Sequence, residues 1–381
     1  MRYAYAITSA LLLGGTAATL ALQTPGGAQT AQNEPGSIAA ASAPRPGAPM
    51  SFADLAARLQ PAVVNISTTQ RVQVNSNPFA GTPFGDLFGG GAPNGGRPVT
   101  REAQSLGSGF IISPDGYIVT NNHVISGGEG PGAAAVASIK VIMPDRTEYD
   151  AKLVGRDPTS DLAVLKINAT NLPFVKFGDS TKTRVGDWVV AIGNPFGLGG
   201  TVTAGIVSAL HRVTGQGGAY DRYIQTDASI NQGNSGGPMF DINGNVIGIN
   251  TMIFSPTGGN IGIGFAIPAE QAFPIVQKLK GGAKIARGYL GVGIQPLDEG
   301  IADSLGIEKN HGELIAHVEP GQAADKAGIK QGDVVVKVNG REVTPDQTLS
   351  YLVANQAVGS RVPIEVIREG RRQTLTAIVG E

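Results

Sequence analysis

From Gly107 to Ile267 the sequence consists of short apolar segments separated by turn residues, at a spacing of about ten residues that is typical of all-β domains. The segments are SGFIISPDGYIVTNNHV, SIKVIMPD, DLAVLKI, WVVAIGNP, IVSAL, YIQTDA, NVIGINT and IGIGFAIP. Gly, Pro, Asn and Asp separate most of them, and these residues adopt the backbone angles that tight turns need. The pattern therefore predicts an all-β sandwich or barrel arrangement.

The composition indicates a folded chain and excludes several classes of protein. Charged residues make up 15% of the chain, below the usual share of about 25%. The 29 basic and 30 acidic residues nearly cancel, so charge gives no argument for nucleic acid or an anionic membrane surface as the main partner. Cysteine is absent, which excludes disulfides, thiolate metal sites and cysteine nucleophiles.

The first residues have the form of an export signal. Arg2 and the amino terminus supply positive charge, Ala10 to Leu22 is apolar, and small residues follow up to Ala28. A basic start, an apolar stretch and a small-residue cleavage site are typical of secretory signals. We therefore expect residues 1–28 to be a signal peptide and the protein to be exported. The alternative is that the segment stays uncleaved and anchors the protein to the membrane.

Composition also divides the rest of the chain. Residues 29–50 are rich in Ala, Pro, Gly and Ser and read as a flexible linker. A first domain is expected over 51–282, with a long Gly/Pro loop at 75–96 whose aromatic residues either dock on another surface or pack on their own domain. A helical pattern over 268–280 is followed by two glycines, which marks a boundary. A second domain is expected over 285–381.

Three short motifs carry residues that suit catalysis. His123 follows a strand in TNNHV, Asp161 opens the apolar strand of SDLAVL, and Ser235 lies in the glycine turn GNSGGP. Each motif alone has a structural explanation, as a strand-end histidine, a cap or a plain turn; we interpret Asp157 and Asp179 as caps of this kind. Together, in the order His, Asp, Ser within one β domain, they match a serine nucleophile with its base and the acid that orients it.

The chemistry assigns a role to each of these residues. A serine hydroxyl is a weak nucleophile and needs a neighbouring base, so His123 would accept the Ser235 proton and later give it to the leaving amine. Asp161 would hold the other ring nitrogen. We expect the oxyanion hole at Gly233, Asn234 and Ser235, where each N–H donor is worth roughly 3–4 kcal/mol.

The same turn also fits a rival motif. GNSGG satisfies G-x-S-x-G, the nucleophile elbow of α/β-hydrolases, which needs a helix after the serine and a histidine later in the chain. Here the strand-like NVIGINT follows, and the later histidines, His311 and His317, lie in the second domain. The elbow interpretation is therefore disfavoured.

At these motifs the chain resembles the HtrA/DegP family of trypsin-like serine proteases. TNNHVI, SDLAVLKI, AIGNPFGL and QTDASINQGNSGGPMFDINGNVIGINT carry the likeness, which runs from about Phe52 to the end of the chain. The resemblance implies an all-β chymotrypsin/trypsin-like double β-barrel, a homotrimer or a multiple of it, and periplasmic quality control of unfolded proteins, with chaperone activity in a stress response. It implies no metal, ATP or other cofactor. The loop at 75–96 occupies the position of the family's regulatory loop.

The resemblance also suggests a substrate preference. In trypsin-like folds the residue six before the nucleophile lies at the base of the primary specificity pocket, which here is Ser229. An uncharged base argues against cleavage after Lys or Arg. Ile230, Ile253 and Phe254 would form the walls and favour small aliphatic residues such as Val or Ala. The alternative is that these are ordinary core residues.

The second domain resembles a PDZ domain through RGYLGV and HVEPGQAADKAGIKQGDVVVKVNGREV. PDZ domains bind an extended peptide by strand addition and hold its terminal carboxylate with backbone N–H groups. Tyr289, Leu290, Gly291 and Val292 match the carboxylate-binding loop. The expected partners are therefore unfolded substrates at the protease domain and peptide C-termini at this loop.

Overall fold

A computed structural model describes residues 51–74, 99–126, 135–195, 199–215, 218–231, 233–256, 259–295, 297, 300, 302, 307 and 311–381. The predicted signal peptide at 1–28, the linker at 29–50 and the loop at 75–96 lie outside these residues.

The first half of the described chain forms a closed antiparallel barrel of six strands, entered through helix α1 (Ala53–Leu59). Along the barrel the strands follow the order β1, β2, β3, β6, β5, β4. The strands are β1 (Val63–Val74), β2 (Val99–Ile111), β3 (Tyr117–Asn121), β4 (Ala135–Ile142), β5 (Glu148–Asp157) and β6 (Leu162–Ile167). A one-turn helix α2 (Asn122–Ile125) continues β3 directly.

The second half forms another closed six-stranded barrel, in the order β10, β11, β12, β9, β8, β7. Its strands are β7 (Trp188–Gly193), β8 (Thr201–Arg212), β9 (Tyr223–Thr226), β10 (Pro238–Phe240), β11 (Val246–Ile253) and β12 (Gly264–Pro268). The short apolar segments of the sequence thus become barrel strands, and the predicted all-β double-barrel fold is confirmed.

One apolar core joins the two barrels. Phe110 and Leu162 from the first barrel share it with Phe240 and Ile249 from the second, and all four side chains are fully buried. Strands such as β6 and β7 are apolar on both faces because one face lines the barrel and the other meets this shared core. Hydrophobic burial in this shared core therefore holds the two barrels together.

Helix α3 (Ala269–Lys280) packs across the barrels and ends the double-barrel region. Its sequence prediction began at Pro268, which is instead the last residue of β12 and precedes the helix as its cap. Ile275, Val276 and Leu279 enter the shared core. Gly282, with φ of +74°, then turns the chain away, as the paired glycines predicted.

The remaining chain folds around its own core as an antiparallel sheet. Five of its strands lie side by side in one path, and a sixth pairs only with one of them. The path runs β13 (Val292–Gln295), β14 (Glu313–Val318), β15 (Val334–Val338), β17 (Arg361–Arg368) and β18 (Arg371–Ile378), and β16 (Arg341–Glu342) pairs with β15. Two short helices, α4 (Ala323–Ala327) and α5 (Leu349–Ala354), cover it. β15 is formed by the VVVKV segment of the second domain, and four of its five residues are buried.

Aromatic and cationic side chains join the second barrel to this carboxy-terminal domain. Tyr351 on α5 lies edge-on to Tyr220, with ring centres 6.2 Å apart. The Arg222 guanidinium lies 4.2 Å from the centre of the Tyr351 ring. Arg287, in the connection after α3, lies over the Tyr220 ring and forms an ion pair with the buried Asp157.

His211 supports this contact from the end of β8. Its Nδ1 accepts a hydrogen bond from Arg222 Nη2 at 2.7 Å, so the ring must be neutral when the contact is made. Burial lowers the pKa of His211, the charge of Arg222 lowers it further, and the more distant Asp346 acts in the opposite direction. Its φ of +52° is unusual for a side chain other than glycine.

This geometry predicts that the contact between Arg222 and Tyr351 weakens in acid. As the pH falls below the ordinary histidine value of about 6.5, the undocked state gains a proton before the docked state does, so docking loses free energy. Hydrogen exchange at α5, corrected for intrinsic rates, should therefore rise between about pH 8 and about pH 5.5. A His211→Asn variant, which keeps a polar side chain that tolerates positive φ, should show no such rise; an equal rise would contradict the mechanism.

Candidate active site

Hydrogen bonds through Thr251 connect the three residues that the sequence singles out, where the two barrels meet. His123 lies in α2 directly after β3, and Asp161 lies directly before β6, so both belong to the first barrel. Ser235 belongs to the second barrel, in the turn between β9 and β10. The backbone N–H of Ser108 on β2 donates to the Ser235 carbonyl at 2.8 Å and ties that turn to the first barrel.

Asp161 sits in an unusual backbone conformation that its neighbours enforce. Its φ of 55° and ψ of 40° lie in the left-handed region, at the end of the short turn Pro158–Ser160. Asp157 begins that turn and accepts from both the N–H and the hydroxyl of Ser160. The Asp161 carbonyl accepts from Asn121 Nδ2 at 2.9 Å and from the Asn122 N–H at 3.0 Å. These backbone contacts fix the position of Asp161 independently of the partners of its carboxylate.

The Asp161 carboxylate holds His123 at two points. Oδ1 accepts from the His123 backbone N–H at 2.9 Å, and Oδ2 lies 2.7 Å from the ring Nδ1. Because a carboxylate only accepts, Nδ1 carries the proton and Nε2 is left as an acceptor. Thr251 of the second barrel donates its hydroxyl to the same Oδ2 at 2.9 Å.

The nearby Tyr223, on β9, has a raised pKa. Burial is the main cause, followed by the negative charges of Asp221 and Asp161, and the pKa is raised to about 12.

The Ser235 hydroxyl has a partner that the sequence did not indicate. It donates to the carbonyl oxygen of Thr251 at 3.2 Å rather than to His123. Catalytic hydrogen bonds in uncomplexed sites often form only when substrate is bound. Rotation of one side-chain bond would redirect the hydroxyl.

The glycines around Ser235 permit a turn that other residues would block. Gly233 has φ of +96°, and a Cβ there would lie 2.5 Å from the Cβ of Pro195. Gly236 has φ of +83°, and a Cβ there would collide with the Ser108 carbonyl oxygen. Both positions therefore require glycine for conformation and for space.

Hydrogen bonds within the turn determine which N–H groups stay available. Asn234 donates its N–H to Asn231 at 3.0 Å, and Gly237 donates to the Asn234 carbonyl at 2.9 Å. Within the described hydrogen bonds, none uses the N–H of Gly233 or Ser235. Asn234 thus shapes the turn, and the two flanking residues present unpaired donors.

The residues predicted to form a specificity pocket are only partly brought together. Ser229 is exposed, and its carbonyl accepts from Thr203 Oγ1 at 3.0 Å. Ile230 is 1% exposed and belongs to the core of the second barrel, against which Ile253 also packs. Phe254 is 59% exposed. Ile230 thus fits the core interpretation, and Phe254 lies outside that core.

A cavity of about 530 Å³ marks the predicted peptide-binding loop of the second domain. All four predicted residues line it, together with β13, α5 and Ala219 of the second barrel. The lining residues are Ala219, Ile285, Arg287, Gly288, Tyr289, Leu290, Gly291, Val292, Ile294, Leu349, Ser350, Val353, Ala354 and Glu381.

The backbone of this loop leaves two donors for a ligand. Tyr289 pairs with Gly380 through its N–H and its carbonyl, both at 2.9 Å. Among the hydrogen bonds of the described chain, none uses the N–H of Leu290 or Gly291. Gly291 has φ of +77°, and a Cβ there would collide with the Cβ of Gln322. Val292 already belongs to the sheet, opposite Val318.

Two further features are absent from the described part of the chain. No group of three or more His, Cys, Asp or Glu in this part of the chain could hold a metal ion. None of its helices is long and apolar enough to span a membrane.

Comparisons with known proteins agree with this architecture. The family profile of the trypsin-like peptidase domain matches residues 107–249, and that of the PDZ domain matches 288–379. A probable periplasmic serine endoprotease DegP-like of Brucella suis biovar 1 is 46% identical over 358 residues, which cover 86% of this chain and 68% of the relative. A protein of the same name from Bartonella henselae is 47% identical over 345 residues, covering 85% and 67%.

Solved structures give the same result. The HtrA-type protease AlgW with a decapeptide superposes with a TM-score of 0.68 at 40% identity, covering 87% of this chain and 98% of that one. The serine endoprotease from Yersinia pestis gives a TM-score of 0.58 at 33% identity, covering 88% and 99%. The chain therefore belongs to the HtrA/DegP family of trypsin-like serine proteases and is a periplasmic serine endoprotease with a PDZ domain.

Proposed function

We propose that this protein cleaves unfolded or misfolded proteins in the cell envelope through a triad of His123, Asp161 and Ser235. The observation that carries the proposal is the Asp161 carboxylate, which binds the His123 ring and, through Thr251, the second barrel that bears Ser235. The base and the nucleophile come from different barrels and face one cleft.

In the proposed reaction His123 Nε2 takes the Ser235 proton as Oγ attacks the substrate carbonyl carbon. Asp161 stabilises the imidazolium that forms, and the N–H groups of Gly233 and Ser235 receive the oxyanion. His123 then gives its proton to the departing amine. Water, deprotonated by the same ring, hydrolyses the acyl-enzyme. We assign Asn234 to the oxyanion hole as the residue that shapes it.

The hydrogen bond from Ser235 Oγ to the Thr251 carbonyl supports a resting state in this scheme. The hydroxyl must leave Thr251 and turn to His123 before it can attack. Substrate that occupies the cleft would displace water and favour this turn. We therefore propose that the enzyme is active only on bound polypeptide.

Two substitutions test the triad. Ser235→Ala should abolish cleavage of a chemically unfolded protein with no change in the folded structure, because the nucleophile is lost and the turn keeps its hydrogen bonds. Asp161→Asn should lower kcat by about 10⁴-fold, because the ring would be held in the wrong tautomer. Substrate turnover and circular dichroism measure both. Cleavage that persists in Ser235→Ala would exclude Ser235 as the nucleophile.

We propose that the preferred residue before the cut is small and aliphatic. Ser229 brings no charge to the base of the pocket, and Ile253, which is partly buried against the core of the second barrel, would supply an apolar wall. Ser229 is exposed and is held through its backbone carbonyl, so its side chain is free for substitution.

A charge at this position should change the preference. Ser229→Asp should introduce cuts after Lys and Arg and reduce cuts after Val and Ala, because a buried cationic side chain would then find a carboxylate. Mass spectrometry of the products from one unfolded substrate measures the cut sites. Ser229→Asn is the uncharged control and should keep the original cuts. The same pattern in both variants would remove Ser229 from the pocket.

We propose that 51–282 and 285–381 act as separate domains and that the second binds peptide C-termini. A ligand strand beside β13 would place its carboxylate at the free N–H groups of Leu290 and Gly291. Ala219 of the second barrel lines the same cavity, which supports a role in regulation or in substrate delivery. Assembly as a homotrimer, chaperone activity and action in a stress response are further proposals, supported by the family relationship.

A substitution that displaces the predicted carboxylate-binding loop tests the peptide site. Gly291→Ala should lower the affinity for a peptide with a free C-terminus by at least about tenfold, because strain and the clash with Gln322 would displace the loop. Gly370→Ala is the matched control: its φ is +74° with no atom near the new Cβ. Fluorescence anisotropy of a labelled peptide measures both, with an amidated peptide as the negative ligand. Equal affinities in the two variants would contradict the assignment.

A further inference from the structure

Ser108, in the middle of β2, makes an unusual set of contacts with the turn that carries Ser235. It is fully buried. Its N–H donates to the Ser235 carbonyl at 2.8 Å, and its hydroxyl donates to the Gly233 carbonyl at 2.5 Å. The hydroxyl also accepts from the Asn194 N–H at 2.8 Å. One residue of the first barrel thus binds three backbone groups of the second.

We propose that Ser108 is a positioning residue that fixes the oxyanion hole from the opposite barrel. The inference rests on the proposed function, because it concerns the N–H groups of Gly233 and Ser235 that would receive the oxyanion. Ser108 touches neither substrate nor reacting atoms and acts through the orientation of the turn.

The planarity of the peptide bond explains how a carbonyl contact can set an N–H direction. The peptide joining Gly233 to Asn234 is held at its carbonyl by Ser108 Oγ and at its N–H by the Asn231 carbonyl. The peptide joining Ser235 to Gly236 is held at its carbonyl by the Ser108 N–H. Its own N–H donates to the Asn250 carbonyl at 2.8 Å.

Between these two fixed planes lies the peptide that carries the Ser235 N–H. Its carbonyl, from Asn234, accepts from Gly237, while its N–H, like that of Gly233, is used by none of the described hydrogen bonds. Ser108 binds the carbonyl oxygen of both flanking peptides, those of Gly233 and Ser235. Gly233 has a φ of +96° and no side chain that could restrict its backbone. Loss of the hydroxyl would remove the donor that the Gly233 carbonyl has in this structure and free its peptide to rotate.

Ser108→Ala should therefore impair the chemical step rather than substrate binding. We expect kcat on a short chromogenic peptide to fall by about 100-fold, the effect of losing one oxyanion donor, with KM changed by less than about twofold. A peptide aldehyde, whose adduct with Ser235 carries an oxygen in the oxyanion hole, should lose affinity by the same factor as kcat/KM.

Ser180→Ala is the matched control. Ser180 is also buried, donates its hydroxyl to Glu270 Oε2 and accepts from the Glu270 N–H at 2.9 Å. The variant therefore also loses one donated and one accepted hydrogen bond, at the start of α3 and outside the turn that carries Ser235. A purely structural role for Ser108 predicts equal losses of melting temperature and unchanged kcat in both variants, and that result would overturn the proposal.

Ser108→Cys covers the case in which the alanine variant does not fold. A thiol keeps the shape of the side chain, is slightly larger and is only a weak hydrogen-bond donor, so kcat per folded molecule should fall while circular dichroism stays native. Wild-type kcat in folded Ser108→Cys would also overturn the proposal. Cleavage by Ser235→Ala would instead refute the triad itself, so the two failures are distinguishable.

Discussion

The carboxylate of Asp161 links the two barrels at the proposed active site. It accepts two hydrogen bonds from His123 and one from Thr251, so a single group holds the His123 ring and connects it to the barrel that carries Ser235. A carboxylate shielded from water in this way is stable only when its oxygens are satisfied by donors. The left-handed backbone of Asp161 is the strain that this placement requires.

The contacts that position Asp161 continue, through Asp157, to the segment that leads into the second domain. Asp157, which caps the turn leading to Asp161, also binds Arg287 in the connection to the PDZ domain. Removing either partner of a buried ion pair leaves an uncompensated charge and is strongly destabilising. The turn that precedes Asp161 is therefore in contact with the segment that leads to the proposed peptide site, and Tyr220 packs on the same guanidinium. The two proposed sites are thus joined by a buried ion pair as well as by the connecting chain.

Much of this architecture follows from the sequence, and the remainder depends on packing. The strand segments and the glycine turn have local patterns, and Asp157 and Asp179 prove to be caps, as their positions indicate. The roles of Thr251 and Ser108 had no local signal, since a threonine or serine in a strand is ordinary until the opposite barrel is placed against it. The burial of Ile230 likewise depends on the barrel core. The spacing of the motifs therefore predicts which residues form the candidate site. Contacts between strands that are distant in the sequence determine how those residues are positioned.

The division of the site between two barrels has a consequence for biogenesis. In the proposed triad, His123 and Asp161 come from the first barrel, and Ser235 with its turn comes only with the second. A chain whose second barrel has not yet closed therefore holds only part of the proposed triad. Hydrolysis through these residues requires both barrels to be formed, so a partly folded chain would lack this activity.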